Sequence, residues 1–190
     1  PCEGNVSRAD GNSCGLLKAT LKDKKKNPTG HHRCWVNINE PSDELWKISK
    51  ELFEWILENL PKGSTILELG SGSGTKELVK YYNVYSIEHD EKWLGLVPES
   101  NYIYAPLIDG WYDVEILKNK LPIHYDLLLI DGPVGENRVN IINHYDMFKQ
   151  NIPIIIDDTN RENDRNMSIF LSEKLNKKIT IIKFIKKNSE

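Results

Sequence analysis

The sequence predicts an α/β protein, a three-layer αβα sandwich around a mostly parallel central sheet of six or seven strands. Three observations lead to this prediction. Strand-like and helix-like patterns alternate from residue 60 onward, as repeated βα units require. Two runs, near 125–130 and 152–157, are almost continuously apolar, which is typical of strands covered on both faces. A loop with three glycines separates the strand predicted at 65–69 from the helix that follows it.

Length and charge indicate a single folded unit behind a polar front. The chain has 190 residues and a net charge of -3, and this length suits one domain with a sizeable core. Residues 1–40 are polar, glycine-rich and without clear periodicity, so we expect an irregular N-terminal arm there. We expect residues 41–190 to form one domain.

The first regular element of that domain is a helix that begins after Ser42 or Asp43, either of which can cap it. Pro61 and Gly63 end the pattern. Apolar residues recur along it at steps of three and four, namely Leu45, Ile48, Leu52, Trp55 and Ile56. This spacing places them on one face, so we expect the helix to pack against the sheet.

The remaining elements alternate along the chain. Strands are predicted near 65–69, 83–88, 101–105, 125–130, 152–157 and 179–185. Helices are predicted near 75–80, 91–96, 113–119, 138–149 and 162–176. Only one strand is predicted after residue 176, so either the sheet is shortened or a last strand lies outside this sequence.

The most informative motif is a glycine loop followed by an acidic residue. The loop reads ILELGSGSGT over residues 66–75, and Glu88 ends the next predicted strand. Bare backbone at such a turn lets a nucleotide-like ligand lie close, and an acid at the end of the second strand can accept the hydroxyls of a ribose. A dinucleotide fingerprint would need a third glycine where Thr75 stands. The spacing therefore indicates a different adenosine-type cofactor, with a purely structural glycine turn as the alternative.

These residues resemble motif I of the class I S-adenosylmethionine-dependent methyltransferases, which have a Rossmann-like fold. The resemblance covers roughly residues 60–185. It implies that the loop packs against the methionine part of the cofactor, that Glu68 helps to hold its amino group and that Glu88 binds the ribose. The expected cofactor-binding residues are Glu68, Gly70, Ser71, Gly72, Gly74, Thr75, Glu88, His89 and Asp109.

Acidic residues follow the two most apolar strands. Asp131 comes directly after one strand, and Asp157 and Asp158 come after the other. Carboxyl ends of parallel strands form the ligand crevice, so these three side chains should converge beside the cofactor. Converging carboxylates repel one another unless a cation or a basic group lies among them. The oxygen ligands suit Mg²⁺, Mn²⁺ or Ca²⁺, and the alternative is helix capping and loop hydrogen bonding.

This arrangement resembles the divalent-metal-dependent O-methyltransferases of the catechol type, in which such acids hold the metal. The resemblance implies Asp131, Asp157 and Asp158 as metal ligands. That family carries a lysine base three residues after the first aspartate, where this chain has Val134. The base is therefore open among four side chains, which are His144, His89, His124 and Asp109. Asp131 and His144 are the expected catalytic residues.

The segment Ile130-Asp131-Gly132-Pro133, with 157–161 on the next strand, resembles methyltransferases that act on sugars and polysaccharides, including the glucuronoxylan O-methyltransferases. The expected substrate residues are Arg138, Arg161 and Trp111. The arginines can pair with a carboxylate or phosphate on a substrate. The alternative for Arg138, Arg161 and Arg165 is a surface salt bridge with a nearby acid.

We thus expect an S-adenosylmethionine-dependent O-methyltransferase that acts on a hydroxyl of a sugar, a glycan or another small polar molecule and is assisted by a divalent cation. No apolar run is long enough to cross a bilayer and no signal peptide is evident, so we expect a cytoplasmic protein without a membrane partner. The charge gives no bulk attraction to nucleic acid. Three alternatives stay open: a polyamine-type transferase, an RNA or protein methyltransferase, and a catalytically silent cofactor-binding subunit.

The cysteines all lie near the N-terminus. Cys2, Cys14 and Cys34, with His31 and His32, offer ligands for zinc, but their spacing contains no Cys-x2-Cys knuckle. We therefore expect ordinary thiols rather than a zinc site.

Overall fold

The computed structural model describes residues 48–182 and, outside that range, the backbone of three short strands. The chain divides into two compact units, Pro1–Leu45 and Trp46–Glu190. The first unit contains an antiparallel sheet in which β1 (Val6–Arg8) lies between β2 (Ser13–Cys14) and β3 (Cys34–Trp35). The side chains of the possible zinc ligands lie outside the described residues, and the prediction of an N-terminal arm at 1–40 stays a prediction.

The second unit is built on a sheet of five parallel strands. The strands of this unit are β4 (Thr65–Leu69), β5 (Asn83–Glu88), β6 (Asn101–Tyr104), β7 (Leu107–Ile108), β8 (Trp111–Tyr112), β9 (Leu127–Ile130) and β10 (Ile154–Ile156). The parallel sheet has the order β10-β9-β4-β5-β6, whereas β7 and β8 form a separate antiparallel hairpin. The order places β4, the strand that precedes the glycine loop, in the centre.

Helices connect these strands. The α-helices are α1 (Lys50–Asn59), α2 (Ser73–Leu78), α3 (Val114–Lys120) and α4 (Glu162–Leu175), and the 3₁₀ helices are Glu91–Trp93, Gly135–Asn143 and Tyr145–Met147. The cap of α1 is Ser49, whose Oγ accepts a hydrogen bond from the amide of Leu52 at 3.1 Å. The predicted caps Ser42 and Asp43 lie outside the described residues.

The two faces of the sheet carry separate cores, because successive side chains of a strand point in opposite directions. Ile66 and Leu129 pack with apolar residues of α1 and α2. Leu67 and Leu128, their neighbours along the same strands, pack with residues of α3, α4 and the 3₁₀ segment Gly135–Asn143. All four strand residues of β9 are buried, which confirms the prediction of a strand covered on both faces.

The fold agrees with the predicted α/β class, but six or seven strands are not confirmed. Of the predicted sixth strand at 179–185, residues 179–182 form no strand, and the rest lies outside the described residues. The α-helix expected at 138–149 is instead two 3₁₀ segments. Asparagines with weak helix propensity interrupt it, and one of them, Asn140, donates its side-chain amide to the carbonyl of Gly110 at 3.0 Å.

The hairpin of β7 and β8 was not predicted, although its turn has a sequence signal. Asp109 and Gly110 form the two-residue connection and have φ values of +50° and +79°. A two-residue hairpin turn of this kind needs positive φ at both positions, and Asp-Gly is among its preferred sequences. Among the described residues, none of the helices has the length and hydropathy needed to span a membrane.

Candidate functional site

The candidate site lies where the winding of the sheet reverses. The chain runs from β4 to β5 and β6 on one side, and later places β9 and β10 on the other side. Ligands of open α/β sheets bind at such a reversal, outside the carboxyl ends of the strands. Gly70 follows β4 and Gly132 follows β9, and a Cβ on Gly132 would lie only 2.8 Å from the Cα of Gly70. The two loops therefore approach each other as bare backbone.

The three glycines of the loop have different local roles. Gly70 has a φ of +85°, a conformation that favours glycine. Gly72 is the N-cap of α2, and its amide donates a hydrogen bond to Thr75 Oγ1 at 3.0 Å. Gly74 lies against Ile48, two residues before α1, since a Cβ on Gly74 would lie 3.0 Å from Cγ2 of Ile48. Gly74 is therefore placed for packing, whereas Gly70 and Gly72 shape the loop itself.

Glu68 anchors the glycine loop from inside the protein. It is 2 % exposed, and its Oε2 accepts hydrogen bonds from Thr75 Oγ1 and Ser86 Oγ, both at 2.8 Å. Ser86 Oγ also lies 2.8 Å from Ser100 Oγ, so the polar chain continues beneath β5. Burial raises the pKa of Glu68 to about 8. The resemblance implies that Glu68 holds the cofactor's amino group, but in this structure its Oε2 binds the chain's own hydroxyls.

Glu88 lies beside the same loop, at the end of β5, where the sequence predicts the ribose-binding acid. Its Oε2 accepts the amide of Ser71 at 3.0 Å, and its Oε1 accepts the amides of His89 at 2.6 Å and Asp90 at 2.9 Å. A carboxylate offers about four acceptor positions. Glu88 Oε2 therefore keeps capacity for a ligand hydroxyl while it holds the loop in place.

Four buried polar atoms at this end of the sheet make no hydrogen bond: Ser71 Oγ, Ser73 Oγ, His89 Nδ1 and Tyr112 Oη. His89 Nδ1 lies 3.0 Å from Glu88 Oε1, and Tyr112 Oη would lie 2.5 Å from a Cβ on Gly132. Buried polar atoms in proteins normally have a partner. Together with the spare acceptor on Glu88, they fit a polar, nucleoside-like ligand in the crevice.

A cavity of about 320 Å³ adjoins the crevice at Tyr112. Its walls are the hairpin of β7 and β8, the start of α3 and the segment Gly135–Asn143. Asp109, which the sequence predicts as a cofactor-binding residue, is an exposed residue at the hairpin tip and lines this cavity. Tyr112 lines it too, while its hydroxyl reaches Gly132 in the neighbouring crevice.

The cavity brings together a predicted substrate residue and a predicted catalytic residue. The rings of Trp111 and His144 stack in parallel, with centroids 5.4 Å apart and planes inclined by 4°. Trp111 is 2 % exposed, and its indole Nε1 has no hydrogen-bond partner. His144 therefore stacks on Trp111 at the wall of the cavity. At this position an imidazole can accept a proton from a bound hydroxyl.

The predicted aspartates converge, and the group among them is Arg138. This arginine is 3 % exposed. Its Nη2 donates to the carbonyl and to Oδ1 of Asp131, the latter at 3.1 Å, and its Nη1 donates to the carbonyl of Asp157 at 3.3 Å. Nη1 also lies 3.6 Å from Asp158 Oδ2 and 3.7 Å from Asp164 Oδ1. The sequence predicts Arg138 as a substrate residue, but both of its Nη groups contact the chain's own oxygens, and only its buried Nε has no hydrogen-bond partner.

The carboxylates of this cluster are not arranged as a metal site. Asp157 Oδ1 accepts the amide of Asp158 at 2.7 Å, and Asp158 Oδ2 also pairs with Arg161 at 2.7 Å. Burial raises the pKa of Asp131 to about 6 in spite of Arg138, and it raises the pKa of Asp157 as well. Within residues 48–182 no group of three or more histidine, cysteine or acidic side chains is placed to hold an ion.

Several residues of the site were not predicted. Asn140 reaches the site through the hairpin, whose signal is the Asp109-Gly110 dipeptide between apolar residues. Ser86 and Asp164 reach the site through buried contacts to Glu68 and Arg138. No local pattern marks them, because those contacts join residues that are distant in sequence. Arg161, a predicted substrate residue, is exposed and pairs with Asp158 Oδ2 at 2.7 Å, so its role in substrate binding stays a prediction.

A scan against models of protein families and a search of curated proteins find no match for this chain.

Proposed function

We propose that this protein is an S-adenosylmethionine-dependent O-methyltransferase with a Rossmann-like domain, acting on a hydroxyl of a sugar, a glycan or another small polar molecule. The observation that carries the proposal is the contact between the glycine loop and Glu88, where the amide of Ser71 donates to Oε2 at 3.0 Å. It joins the two parts of the sequence motif at the winding reversal of the sheet, where α/β proteins bind ligands.

The cofactor would lie in the crevice outside the carboxyl ends of β4 and β5, beside the contact between Gly70 and Gly132. Glu88 would accept the ribose hydroxyls, and the backbone around Gly70 and Gly72 would face the methionine part. When bound, S-adenosylmethionine supplies an electrophilic methyl group. Ser73 Oγ and Tyr112 Oη are buried without hydrogen bonds, so a polar ligand that binds them would remove an unfavourable state.

The methyl acceptor would occupy the cavity beside Tyr112. Methyl transfer requires that the acceptor hydroxyl and the methyl group be held in line and in contact, and the cavity adjoins the crevice at this residue. Asp109 and Asn143 on its wall offer hydrogen-bond acceptors to hydroxyl groups. His144 would take the proton of the hydroxyl, and Trp111 would hold the imidazole in place by stacking.

Calorimetric titration with S-adenosylhomocysteine tests the cofactor class, with NAD as the control ligand. Binding of S-adenosylhomocysteine alone supports the proposal. If neither ligand binds, or if NAD alone binds, the methyltransferase proposal is wrong. Both titrations use the full chain of 190 residues, so that every residue that can contribute to the site is present.

The first prediction concerns Glu88 and the ribose. We expect wild-type protein to bind S-adenosylhomocysteine about 10- to 100-fold more tightly than an analogue that lacks both ribose hydroxyls, as loss of hydrogen bonds to a charged group implies. In Glu88→Gln that preference should largely disappear. The measurement is calorimetry with both ligands on both proteins.

Glu91→Gln is the matched control, because Glu91 is exposed at the start of the next 3₁₀ helix. It should keep the wild-type preference for the ribose hydroxyls. If wild type and Glu88→Gln show the same preference for the ligand with ribose hydroxyls, Glu88 does not bind the ribose. The comparison of two ligands on one protein separates ribose recognition from any change in folding.

The second prediction concerns His144. In His144→Phe the aromatic ring against Trp111 remains but the proton acceptor is lost, so methyl transfer should fall about 100-fold or more with unchanged affinity for S-adenosylhomocysteine. Transfer is measured with radiolabelled S-adenosylmethionine and a panel of monosaccharides, uronic acids and catechols. His124→Gln is the control, since His124 is exposed. Full activity in His144→Phe would exclude this residue as the base.

A further inference from the structure

We propose that Arg138 is the resident cation of the carboxylate cluster at the ends of β9 and β10, so that this cluster takes no divalent metal ion and Arg138 positions the wall of the crevice. Its link to methyl transfer rests on the proposed function. The claim about the cation rests only on the contacts of Arg138.

The guanidinium of Arg138 is buried inside the protein. Arg138 lies in the 3₁₀ segment Gly135–Asn143 and is 3 % exposed. Moving a charged group out of water is strongly unfavourable unless partners compensate. A position inside the protein is therefore stable only because the surrounding oxygens bind this cation.

The oxygens around Arg138 come from the ends of two strands and from one helix. Arg138 contacts the carbonyl and carboxylate of Asp131 after β9, the carbonyl of Asp157 after β10, and the carboxylates of Asp158 and Asp164. One side chain thus joins the ends of two neighbouring strands to the first turn of α4. A guanidinium suits this task because its donors form a planar fork that can bind two oxygens at once.

The contacts of the carboxylate cluster differ from those of a metal site. Divalent ions of this type need oxygen ligands that converge at about 2.0 to 2.6 Å around one point. Here Asp131 Oδ1 and Asp158 Oδ2 instead face the guanidinium, at 3.1 and 3.6 Å. Asp157 Oδ1 is bound to an amide of its own turn. The donor set therefore fits an arginine and does not fit the divalent ion that the sequence resemblance implies.

Arg138 is linked to the crevice through the backbone of Asp131 and Gly132. By binding the carbonyl of Asp131, Arg138 fixes the backbone directly before Gly132. Gly132 in turn packs on Gly70, since a Cβ on Gly70 would lie 3.1 Å from the Cα of Gly132. Arg138 is therefore a positioning residue, which acts on the crevice through the Asp131-Gly132 backbone.

The test is a titration of the full chain with Mn²⁺, followed by electron paramagnetic resonance, together with thermal unfolding in Mg²⁺ and in EDTA. Wild-type protein should show no Mn²⁺ site that competes with Mg²⁺ and equal unfolding temperatures in both solutions. Arg138→Met removes the charge and leaves four neighbouring carboxylates, so it should unfold at lower temperature and gain stability from Mg²⁺. Arg161→Met is the matched control, because Arg161 pairs with the same Asp158 at 2.7 Å but is exposed.

A Mn²⁺ site in wild-type protein that is lost in Asp157→Asn would overturn the proposal. So would a folded Arg138→Met variant that responds to Mg²⁺ no more than Arg161→Met. If Arg138→Met does not fold, the wild-type titration still decides, and Arg138→Lys, which keeps the charge, should fold and bind no Mn²⁺.

Cofactor binding gives the second readout and keeps the two proposals apart. In Arg138→Lys, which loses the planar fork, affinity for S-adenosylhomocysteine should fall about tenfold, whereas in Lys174→Met, at an exposed position in the last turn of α4, it should be unchanged. Unchanged affinity in Arg138→Lys would refute the positioning role. Failure of wild-type protein to bind S-adenosylhomocysteine would contradict the methyltransferase proposal but leave the Mn²⁺ result valid.

Discussion

In Glu68→Gln, protein stability should lose most of its dependence on pH between about 6 and 8. In wild-type protein burial raises the pKa of Glu68 from 4.5 to about 8, so the folded state holds a proton that the unfolded state has released in that range. The free energy of unfolding must then fall as pH rises, by up to about 1.4 kcal/mol per pH unit for one proton. Glutamine carries no titrating proton, and the slope should disappear.

Urea unfolding at a series of pH values measures this slope. Asp131→Asn is the control, because the pKa of Asp131 is raised only to about 6. Its slope should change below that pH and stay as in wild type above it. The same slope in wild type and in Glu68→Gln above pH 6 would show that Glu68 is ionised in the folded protein. It would then be free to bind a cationic amino group, as the sequence resemblance implies.

Gly132→Ala should be the most damaging single methyl addition at the site. Its Cβ would lie 2.5 Å from Tyr112 Oη and 2.8 Å from both the Cα and the amide nitrogen of Gly70. Backbone atoms of the neighbouring loop cannot rotate away as a side chain can. We therefore expect destabilisation at the upper end of the range for overpacking, about 3 kcal/mol or more, and a matching loss of affinity for S-adenosylhomocysteine.

Guanidinium unfolding and calorimetry together check this result. Gly95→Ala is the matched control, since no atom lies within 4 Å of a Cβ at this position and only the φ of +74° is unfavourable, which costs about 1–2 kcal/mol. Combining Gly132→Ala with Tyr112→Phe should restore part of the stability. The phenylalanine removes the close contact with the tyrosine hydroxyl, whereas the close contacts with Gly70 remain. A Gly132→Ala protein as stable as Gly95→Ala would mean that the two loops are not in contact.

Local signals predicted the sheet well. The five strands of the parallel sheet lie within a few residues of their predicted positions, because their apolar runs and the glycines and acids at their ends are sequence patterns. The contact of Glu88 with the loop also lies where the motif predicts it. These features depend on residues that are neighbours along the chain or occupy equivalent ends of adjacent strands.

The chemistry of the buried groups could not be predicted in the same way. Three aspartates near one edge of a sheet are compatible with a metal or with a basic group, and the sequence does not place Arg138 between them. Likewise, a glutamate before a glycine loop can face a ligand or the interior. Which of these occurs depends on burial and on partners such as Ser86 and Asp164, whose contacts arise only when distant elements pack.

The position of β4 in the sheet has a consequence for how the site opens. Within the described sheet β4 is paired on both sides, by β5 and β9, whereas β10 has a partner only on its β9 side. Local opening in proteins starts from elements with few neighbours and spares the most protected strands. Amide exchange should therefore be slowest before Gly70 and faster before Asp157. The half of the site on the inner strands, with the glycine loop and Glu88, then keeps its shape while the half that carries Asp157 and Asp158 fluctuates.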